Sequence, residues 1–289
     1  MEGRAKAPAA GTVLNALAAG FGSAFAIDRY VTAEVHLGDA TQFTGAVTGA
    51  PATDTALIER CVELTVERFG RSSVEGGHVR TESDVPAAGG LKSSSAAANA
   101  TVLATLEALG EPVGRTERLT RETACRIGVT AARETGVTVT GAFDDASASM
   151  LGGVTITENP ADRLLAREAV EWDVLVLVPD DRAFSADADI GRCERLEGVS
   201  ETVLELATEG AYGRAMTING LAYCAALEFS PEPIVEALPH ARGVSLSGTG
   251  PSYVAIGERD RLRGAQREWD TREGVTWLTT TQNKGAQTY

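Results

Sequence analysis

The apolar and polar residues of this chain follow two different periods, one typical of strands and one typical of helices. Strict alternation over residues 30–37 predicts a half-buried strand. Apolar residues three and four positions apart over 54–69 predict an amphipathic helix. The alanine-rich run 94–109, which begins in serines and is followed by Gly110, predicts a second helix.

The rest of the chain continues this mixture. Residues 72–85 predict a strand and a turn, and 116–134 predict one long or two short helices. Further strands are predicted at 152–156, 172–178, 244–247, 253–257 and 275–280, and further helices at 201–206, 212–227 and 231–238. Mixed strands and helices predict an α+β (mixed α/β) architecture in two halves. The polar patch 158–162 is the best linker candidate, which divides the chain into domains 1–158 and 159–289.

Composition and charge restrict the classes of function. With 289 residues, 43% of them hydrophobic, the chain fits a globular protein of one large or two ordinary domains. Its net charge of −14 argues against nucleic acid or an anionic membrane surface as a partner. Only three of the 26 basic residues are lysines, which together with the acidity indicates adaptation to high salt. The alternative is an ordinary acidic cytosolic protein.

The sequence also predicts a cytoplasmic location. The four cysteines are scattered without a Cys-x-x-Cys pair, which gives no sign of a zinc or redox site. The first residues lack the apolar core of a signal peptide, and no run of about 18 apolar residues could span a membrane.

A glycine- and serine-rich loop precedes the helix predicted at 94–109. It reads Pro86-Ala-Ala-Gly-Gly-Leu-Lys-Ser-Ser-Ser-Ala96, with two glycines that allow a tight turn and three serines at the helix start. Free N–H groups and the positive end of the helix dipole then point at one spot, which suits a phosphate. The alternative is an ordinary loop-to-helix junction capped by serine.

A second segment carries adjacent carboxylates. Asp144 and Asp145 follow Gly141 and precede Gly152-Gly153, which predicts a tight active-site turn. An ionised carboxylate there would accept a proton from a substrate hydroxyl, and a second would hold Mg²⁺. The alternative is a solvated acidic turn, and the sequence leaves open which aspartate faces inward.

A third segment, 244–255, contains Ser247-Gly248-Thr-Gly250-Pro between two predicted strands and by itself predicts a hairpin turn. Other familiar motifs are excluded. No lysine follows a glycine, so there is no P-loop, and Gly20-Phe-Gly22 lacks the third glycine of a dinucleotide-binding fingerprint. No His-Glu-x-x-His sequence occurs.

The loop 86–96 resembles the ATP-binding loop of the GHMP kinases, named for galactokinase, homoserine, mevalonate and phosphomevalonate kinases. That loop reads Pro-x-x-x-Gly-Leu-Gly-Ser-Ser-Ala, and Lys92 stands in place of its last glycine. The Gly-Leu-Lys-Ser-Ser-Ser form is similar to that of the archaeal-type shikimate kinases. The stretches 10–16 and 20–28 resemble the start of those kinases, and 244–255 resembles the family's Ser-Gly-x-Gly-Pro motif.

The resemblance implies a two-lobed GHMP kinase fold with the nucleotide between an N-terminal lobe like that of ribosomal protein S5 and a ferredoxin-like C-terminal lobe. Mevalonate-kinase-like members place a catalytic aspartate seven residues before a Gly-Gly pair and an Mg²⁺-binding glutamate eleven residues upstream of it. Asp145 and Glu134 stand at those distances. The family's second loop serine, Ser94 by position, binds the metal. No lysine stands at the family's usual position beside the catalytic aspartate.

The implied nucleotide-binding residues are those of the loop and two glycines of the third segment: Pro86, Ala87, Ala88, Gly89, Gly90, Leu91, Lys92, Ser93, Ser94, Ser95, Ala96, Gly248 and Gly250. Two interpretations of Lys92 stay open. In one it touches nucleotide phosphate, and in the other it is a solvated lysine at the mouth of the loop.

We therefore expect a kinase that uses ATP and Mg²⁺ to phosphorylate the 3-hydroxyl of shikimate. The alternatives are a homoserine or mevalonate kinase, and a non-catalytic ATP-binding sensor on the same fold. The presence of Asp145 and Glu134 counts against the sensor. The sequence reveals neither the oligomeric state nor the residues that grip the substrate.

Overall fold

The computed structural model describes residues 1–38, 40–70, 74–86, 89–114, 117–138, 141–180 and 189–289. It consists of two sheets with helices packed on them, which confirms the predicted mixture of elements. Ala87 and Ala88 of the predicted nucleotide loop lie outside the described residues, as do 72–73 and 116 of two predicted elements. Within the described chain, no helix has both the length and the hydropathy needed to cross a membrane.

The larger sheet is built around two long strands near the N-terminus. Its strands are β1 (Glu2–Leu14), β2 (Phe21–Gly38), β3 (Phe43–Val47), β4 (Gly76–Ser83), β5 (Val154–Glu158), β6 (Arg163–Glu168) and β11 (Gln287–Thr288). They are ordered β11-β1-β2-β4-β3, with β5 joining β2 to β6. Only β3 and β4 form a parallel pair among these described strands. The strand pair β5–β6 and the C-terminal strand β11 therefore belong to the same sheet as the N-terminal strands.

Four helices share a core with the larger sheet: α1 (Ala56–Phe69), α2 (Ser93–Ala108), α3 (Arg121–Glu134) and α4 (Phe143–Leu151). α2 packs against β1, β2, α1 and α3, so most of its surface is buried. An alanine-rich sequence suits this position, because small side chains allow close approach. A Cβ at Gly3 would lie 2.1 Å from the carbonyl oxygen of Ala104, which shows how closely β1 approaches the helix.

The second sheet is antiparallel and has the order β10-β7-β9-β8. Its strands are β7 (Asp173–Val178), β8 (Gly243–Leu246), β9 (Tyr253–Gly257) and β10 (Val275–Thr280), and the helices of this part are α5 (Ile190–Glu194), α6 (Glu197–Thr208), α7 (Tyr212–Leu227), α8 (Glu232–Ala237) and α9 (Arg259–Trp269). The apolar run that predicts a buried strand at 172–178 is β7, whose residues after Asp173 are all buried.

Two features differ from the sequence predictions. The polar patch 158–162 is not a linker between sheets, because Asn159–Ala161 forms a short 3-10 turn that joins β5 to β6 within the larger sheet. The chain passes to the second sheet between Glu168 and Asp173, and the division into domains at 158/159 stays a prediction. The adjacent aspartates lie in the first turn of helix α4 rather than in a tight turn. Of the two alternatives predicted for 116–134, the described residues contain the single helix, α3.

The sequence patterns do not predict β1, β3, β6, β11, α5 or α9. For β1 the physical reason is burial. Residues 7–14 are all buried, so the strand has no solvent-facing side and no alternation of polar and apolar residues.

Candidate active site

A cavity of about 370 Å³ opens between the larger sheet, the N-terminal ends of α2 and α4, and the loop from β8 to β9. One part of its lining is apolar and comes from β2, β3 and α1: Val31, Val47, Leu57 and Ile58. Another part is polar and gathers residues from all three predicted motifs: Lys92, Ser93, Ser94, Asp144, Asp145, Gly248 and Thr249. A second cavity of similar volume, at the C-terminal end of α2, contains none of the predicted residues.

The two glycine-rich segments are in direct contact. Gly90 has φ of +75°, and a Cβ there would lie 2.3 Å from the carbonyl oxygen of Ser247 and 2.8 Å from that of Gly250. Ser247 Oγ in turn donates a hydrogen bond of 2.8 Å to the carbonyl of Gly90. Only glycine satisfies both the backbone angle and the space at position 90. Gly248 lines the cavity, whereas Gly250 packs against Phe229 behind it.

The N-terminus of α2 faces the cavity without a capping side chain. The first helical hydrogen bond runs from Ala96 N–H to Lys92 carbonyl over 3.0 Å. The N–H groups of residues 93–95 therefore have no acceptor within the helix. Ser93 and Ser94 line the cavity beside them, whereas Ser95, Ala96, Leu91, Gly89 and Pro86 are not part of the lining. Uncapped N–H groups and the helix dipole make this end of α2 an anion site.

Lys92 and Asp145 form an ion pair of 2.8 Å between Nζ and Oδ1. The side chain of Lys92 is only 7% exposed, so the interpretation as a solvated lysine is wrong. Lys92, from the loop before α2, is therefore the cation beside Asp145. The pKa of Asp145 is raised to about 7, chiefly by burial and next by the charge of Asp144, while Lys92 acts in the opposite direction.

Asp144 has different surroundings, although it also borders the cavity. Asn159 Nδ2 donates to its Oδ1 over 2.7 Å, and its backbone N–H donates to Asn159 Oδ1 over 3.1 Å. A Cβ at Gly22 would lie 2.5 Å from its Oδ2, so β2 covers this carboxylate closely. Asp144 is therefore fixed to the turn after β5, whereas Asp145 is paired with the α2 loop.

Glu134 is not brought to Ser94. It is the last residue of α3, and its Oε2 accepts a hydrogen bond of 2.6 Å from Arg60 Nε of α1. It is not among the residues that line the cavity. The described residues contain no group of three or more acidic, histidine or cysteine side chains that could hold a metal ion. The metal pair predicted from the sequence, Ser94 with Glu134, is therefore not assembled in this structure.

Comparison with known proteins now identifies the family. The family described as the GHMP kinases N terminal domain matches residues 56–153. A shikimate kinase of Halobacterium salinarum is 58% identical over 289 residues and covers 100% of both chains. A shikimate kinase of Methanosarcina mazei is 48% identical, covering 99% of this chain and 96% of its own length. The chain belongs to the GHMP kinase family, among the archaeal shikimate kinases.

Solved structures of GHMP kinases share the fold. Mevalonate kinase of Methanococcus jannaschii superimposes with a TM-score of 0.78 at 13% identity, over 98% of this chain and 99% of its own. Homoserine kinase of Cytophaga hutchinsonii gives a TM-score of 0.75 at 17% identity, over 100% and 97% of the two chains. The predicted GHMP kinase fold is confirmed by these matches, which at such low identity show the fold alone.

Some residues of this GHMP kinase site carry no motif in the sequence. Asn159 fixes Asp144 from a patch that reads as a linker, and only its position directly after a strand could have suggested a role. The apolar part of the lining comes from four side chains in two strands and one helix that no sequence signal connects. Asn15 also lines the cavity, and its side chain donates to the carbonyl of Gly248 over 2.8 Å.

Proposed function

We propose that this protein transfers the γ-phosphoryl group of ATP to the 3-hydroxyl of shikimate, a step of aromatic amino acid biosynthesis. The observation that carries the chemistry is the placement of a carboxylate, Asp145, with its cation Lys92 at the uncapped end of α2. A helix end that holds phosphate beside a group that accepts a proton is what phosphoryl transfer to an alcohol needs. The choice of shikimate rests on the relatives named above, which match the chain from end to end.

The cavity has a suitable part for each portion of ATP. The adenine base contacts the apolar lining formed by Val31, Val47, Leu57 and Ile58. The adenine ring and the aliphatic side chains are thereby removed from water. The phosphates lie against the N–H groups that begin α2 and against Gly90 and Gly248, where the backbone is exposed to a ligand. Ser93 and Ser94 add hydroxyl groups at the same place.

Mg²⁺ fits this site as a companion of the nucleotide rather than as a resident ion. It is usually held by one or two protein groups, by phosphates and by water, so the absence of a larger acidic cluster among the described residues agrees with this mode. Ser94 is the protein ligand that we assign. Glu134 is not included, because Arg60 occupies its carboxylate. When bound, the ion neutralises charge on the phosphates.

Asp145 takes the part of the general base. It accepts the proton of the substrate hydroxyl while the hydroxyl oxygen forms a bond to the γ-phosphorus. The bond between the γ-phosphorus and the β,γ-bridging oxygen breaks, and ADP leaves with that oxygen. Most of the rate enhancement then comes from positioning and charge neutralisation. We place the reaction in the cytoplasm, where ATP is available.

ADP release by the purified chain, measured with shikimate, homoserine and mevalonate at low and high KCl, tests this proposal. We expect shikimate to be turned over faster than the other two acceptors. Turnover of homoserine or mevalonate without turnover of shikimate would replace the substrate and leave the fold assignment intact. Binding of ATP without turnover of any acceptor would support the sensor.

A further inference from the structure

Lys92 occupies a backbone conformation that lysine rarely adopts. Its φ is +62° and its ψ is +29°, in the left-handed region. This conformation places the Cβ of an L-residue too close to the backbone. Serine, threonine, aspartate, asparagine and glycine are the usual residues at the start of a helix, and Lys92 makes no side-chain capping bond there. The backbone conformation of Lys92 therefore costs conformational free energy, and no side-chain hydrogen bond at the helix start offsets this cost.

The interaction that offsets this cost is the ion pair of Lys92 with Asp145. The side chain of Lys92 reaches Asp145, where its ammonium lies 2.8 Å from Oδ1. A Cβ at Gly248 would lie 2.9 Å from Nζ and 3.6 Å from Cε, so the ammonium is confined between the β8–β9 loop and Asp145. The left-handed turn thus delivers a buried cation to one particular carboxylate.

The charge of Lys92 matters for Asp145 because the other charged groups that the structure describes around this carboxylate in the cavity are acidic. Among the described residues that line the cavity, the acidic side chains are Asp54, Asp144 and Asp145, and Lys92 is the one basic side chain. Asp144 is the neighbour of Asp145 on α4, and Asp54 lies two residues before the first residue of α1. The strands β1, β2 and β5, which also pack against α4, present no charged side chain to the cavity in the described part.

The helix α3 also packs against α4, but its arginines are engaged elsewhere. Arg133 makes hydrogen bonds of 2.7 Å to both carboxylate oxygens of Asp162. Arg126 bonds to Glu122 and to the carbonyl of Asp162, and its guanidinium lies 5.4 Å from the ring centroid of Phe143. Arg121, the third arginine of α3, donates to the carbonyls of Met150 and Lys284. None of the three arginines lines the cavity, so none replaces Lys92.

We propose that Lys92 is the positioning residue of Asp145, holding that carboxylate ionised and aimed into the cavity, and that the left-handed turn at position 92 persists because it delivers the ammonium. The inference rests on the proposed function. It ties the base to the loop that receives the nucleotide, so one backbone segment serves both halves of the reaction. Without the ammonium, burial and Asp144 raise the pKa of Asp145 unopposed.

The pH profile of kcat/KM for shikimate distinguishes this role from a merely structural one. We compare wild type with Lys92→Met, which keeps the length of the side chain and removes its charge. The acidic limb of the profile shifts upward by about one pH unit or more in the variant, giving at least about a fivefold loss near pH 7 that is largely recovered near pH 9. A uniform loss at every pH, with the limb unmoved, would overturn the proposal. Wild type that is inactive on shikimate would instead overturn the proposed function.

A pair of variants tests the backbone part of the inference without an activity assay. Lys92→Gly and Lys92→Ala both remove the ammonium, but only alanine retains the cost of the left-handed turn. The glycine variant therefore melts at the higher temperature. An alanine variant that melts at the same or a higher temperature would show that position 92 carries no such cost, and would overturn this part of the proposal.

Discussion

The side chain of Asn159 makes two hydrogen bonds to Asp144. Asn159 Nδ2 donates to Asp144 Oδ1 over 2.7 Å, and the backbone N–H of Asp144 donates to Asn159 Oδ1 over 3.1 Å. The neighbouring Asp145 has no such clamp and is paired with Lys92 instead. Two adjacent aspartates of one helical turn therefore have different surroundings. We infer different tasks, with Asp144 anchoring the start of α4 and Asp145 acting on the substrate.

Substitution of each aspartate by asparagine tests this division. Asp145→Asn removes the proton acceptor and lowers kcat by at least about 100-fold, the usual scale for loss of a positioned general base. ATP binding, measured by calorimetry, persists because the nucleotide loop is unchanged. Asp144→Asn is the matched control, since an asparagine Oδ1 still accepts from Asn159, and its loss of kcat is much smaller. The reverse order of the two effects would assign the base to Asp144.

The activity should depend on pH near neutrality. Asp145 accepts a proton only when ionised, and its pKa is raised to about 7, so kcat/KM falls by about tenfold per pH unit below that value. The charge of Asp144 raises the pKa of Asp145, so its removal in Asp144→Asn moves the acidic limb to lower pH. A limb near pH 4 in the wild-type protein would contradict the burial of Asp145.

Contact between the two glycine-rich segments predicts a large difference between adjacent glycines. Alanine at position 90 combines a left-handed φ with a Cβ 2.3 Å from the Ser247 carbonyl, so Gly90→Ala destabilises the fold by about 2 kcal/mol or more and weakens ATP binding. At Gly89 the nearest atom to a Cβ is the Pro86 carbonyl oxygen at 3.4 Å, an ordinary contact, so Gly89→Ala is the control. Denaturant unfolding of both variants is the measurement, and equal midpoints would refute the contact.

Salt should stabilise the protein. The chain has 40 acidic and 26 basic residues, a net charge of −14, and this excess of like charge repels itself more in the compact state than in the expanded unfolded chain. The Debye length falls from about 10 Å at 0.1 M salt to about 3 Å at 1 M, so most of this repulsion is screened. A thermal melt in about 0.1 M and about 2 M KCl is expected to show the higher Tm at high salt. An equal or lower Tm would remove the inference of salt adaptation and leave the kinase assignment intact.

Elements with local signals are predicted well from this sequence. Helix α2 follows from an alanine-rich run with serines before it and Gly110 behind it, and β7 follows from a continuous apolar run. β1 is missed because a strand buried on both faces lacks alternation. α4 is taken for a turn because it has only nine residues, although aspartates in a first turn are favoured by the helix dipole.

Within the site, motifs locate the segments but not their mutual contacts. The loop at 86–96 and the pair Asp144-Asp145 stand out by composition, yet nothing in the sequence connects Lys92 with Asp145, which lies 53 positions later. The spacing that selects Asp145 also selects Glu134, and the structure pairs Glu134 with Arg60 of α1. Sequence spacing gives the position of a residue along the chain, but the direction of its side chain depends on how its helix packs.

The measurement that tests the central claim most directly is identification of the reaction product. Purified protein is incubated with ATP, Mg²⁺ and shikimate in high KCl, and the mixture is analysed by phosphorus NMR and mass spectrometry, with Asp145→Asn in parallel. We expect wild type to convert shikimate to its 3-phosphate with release of one ADP for each product formed, and the variant to form almost none. Unchanged shikimate in the presence of the active-site pair Lys92–Asp145, with ATP bound or spent on another acceptor, would contradict the account.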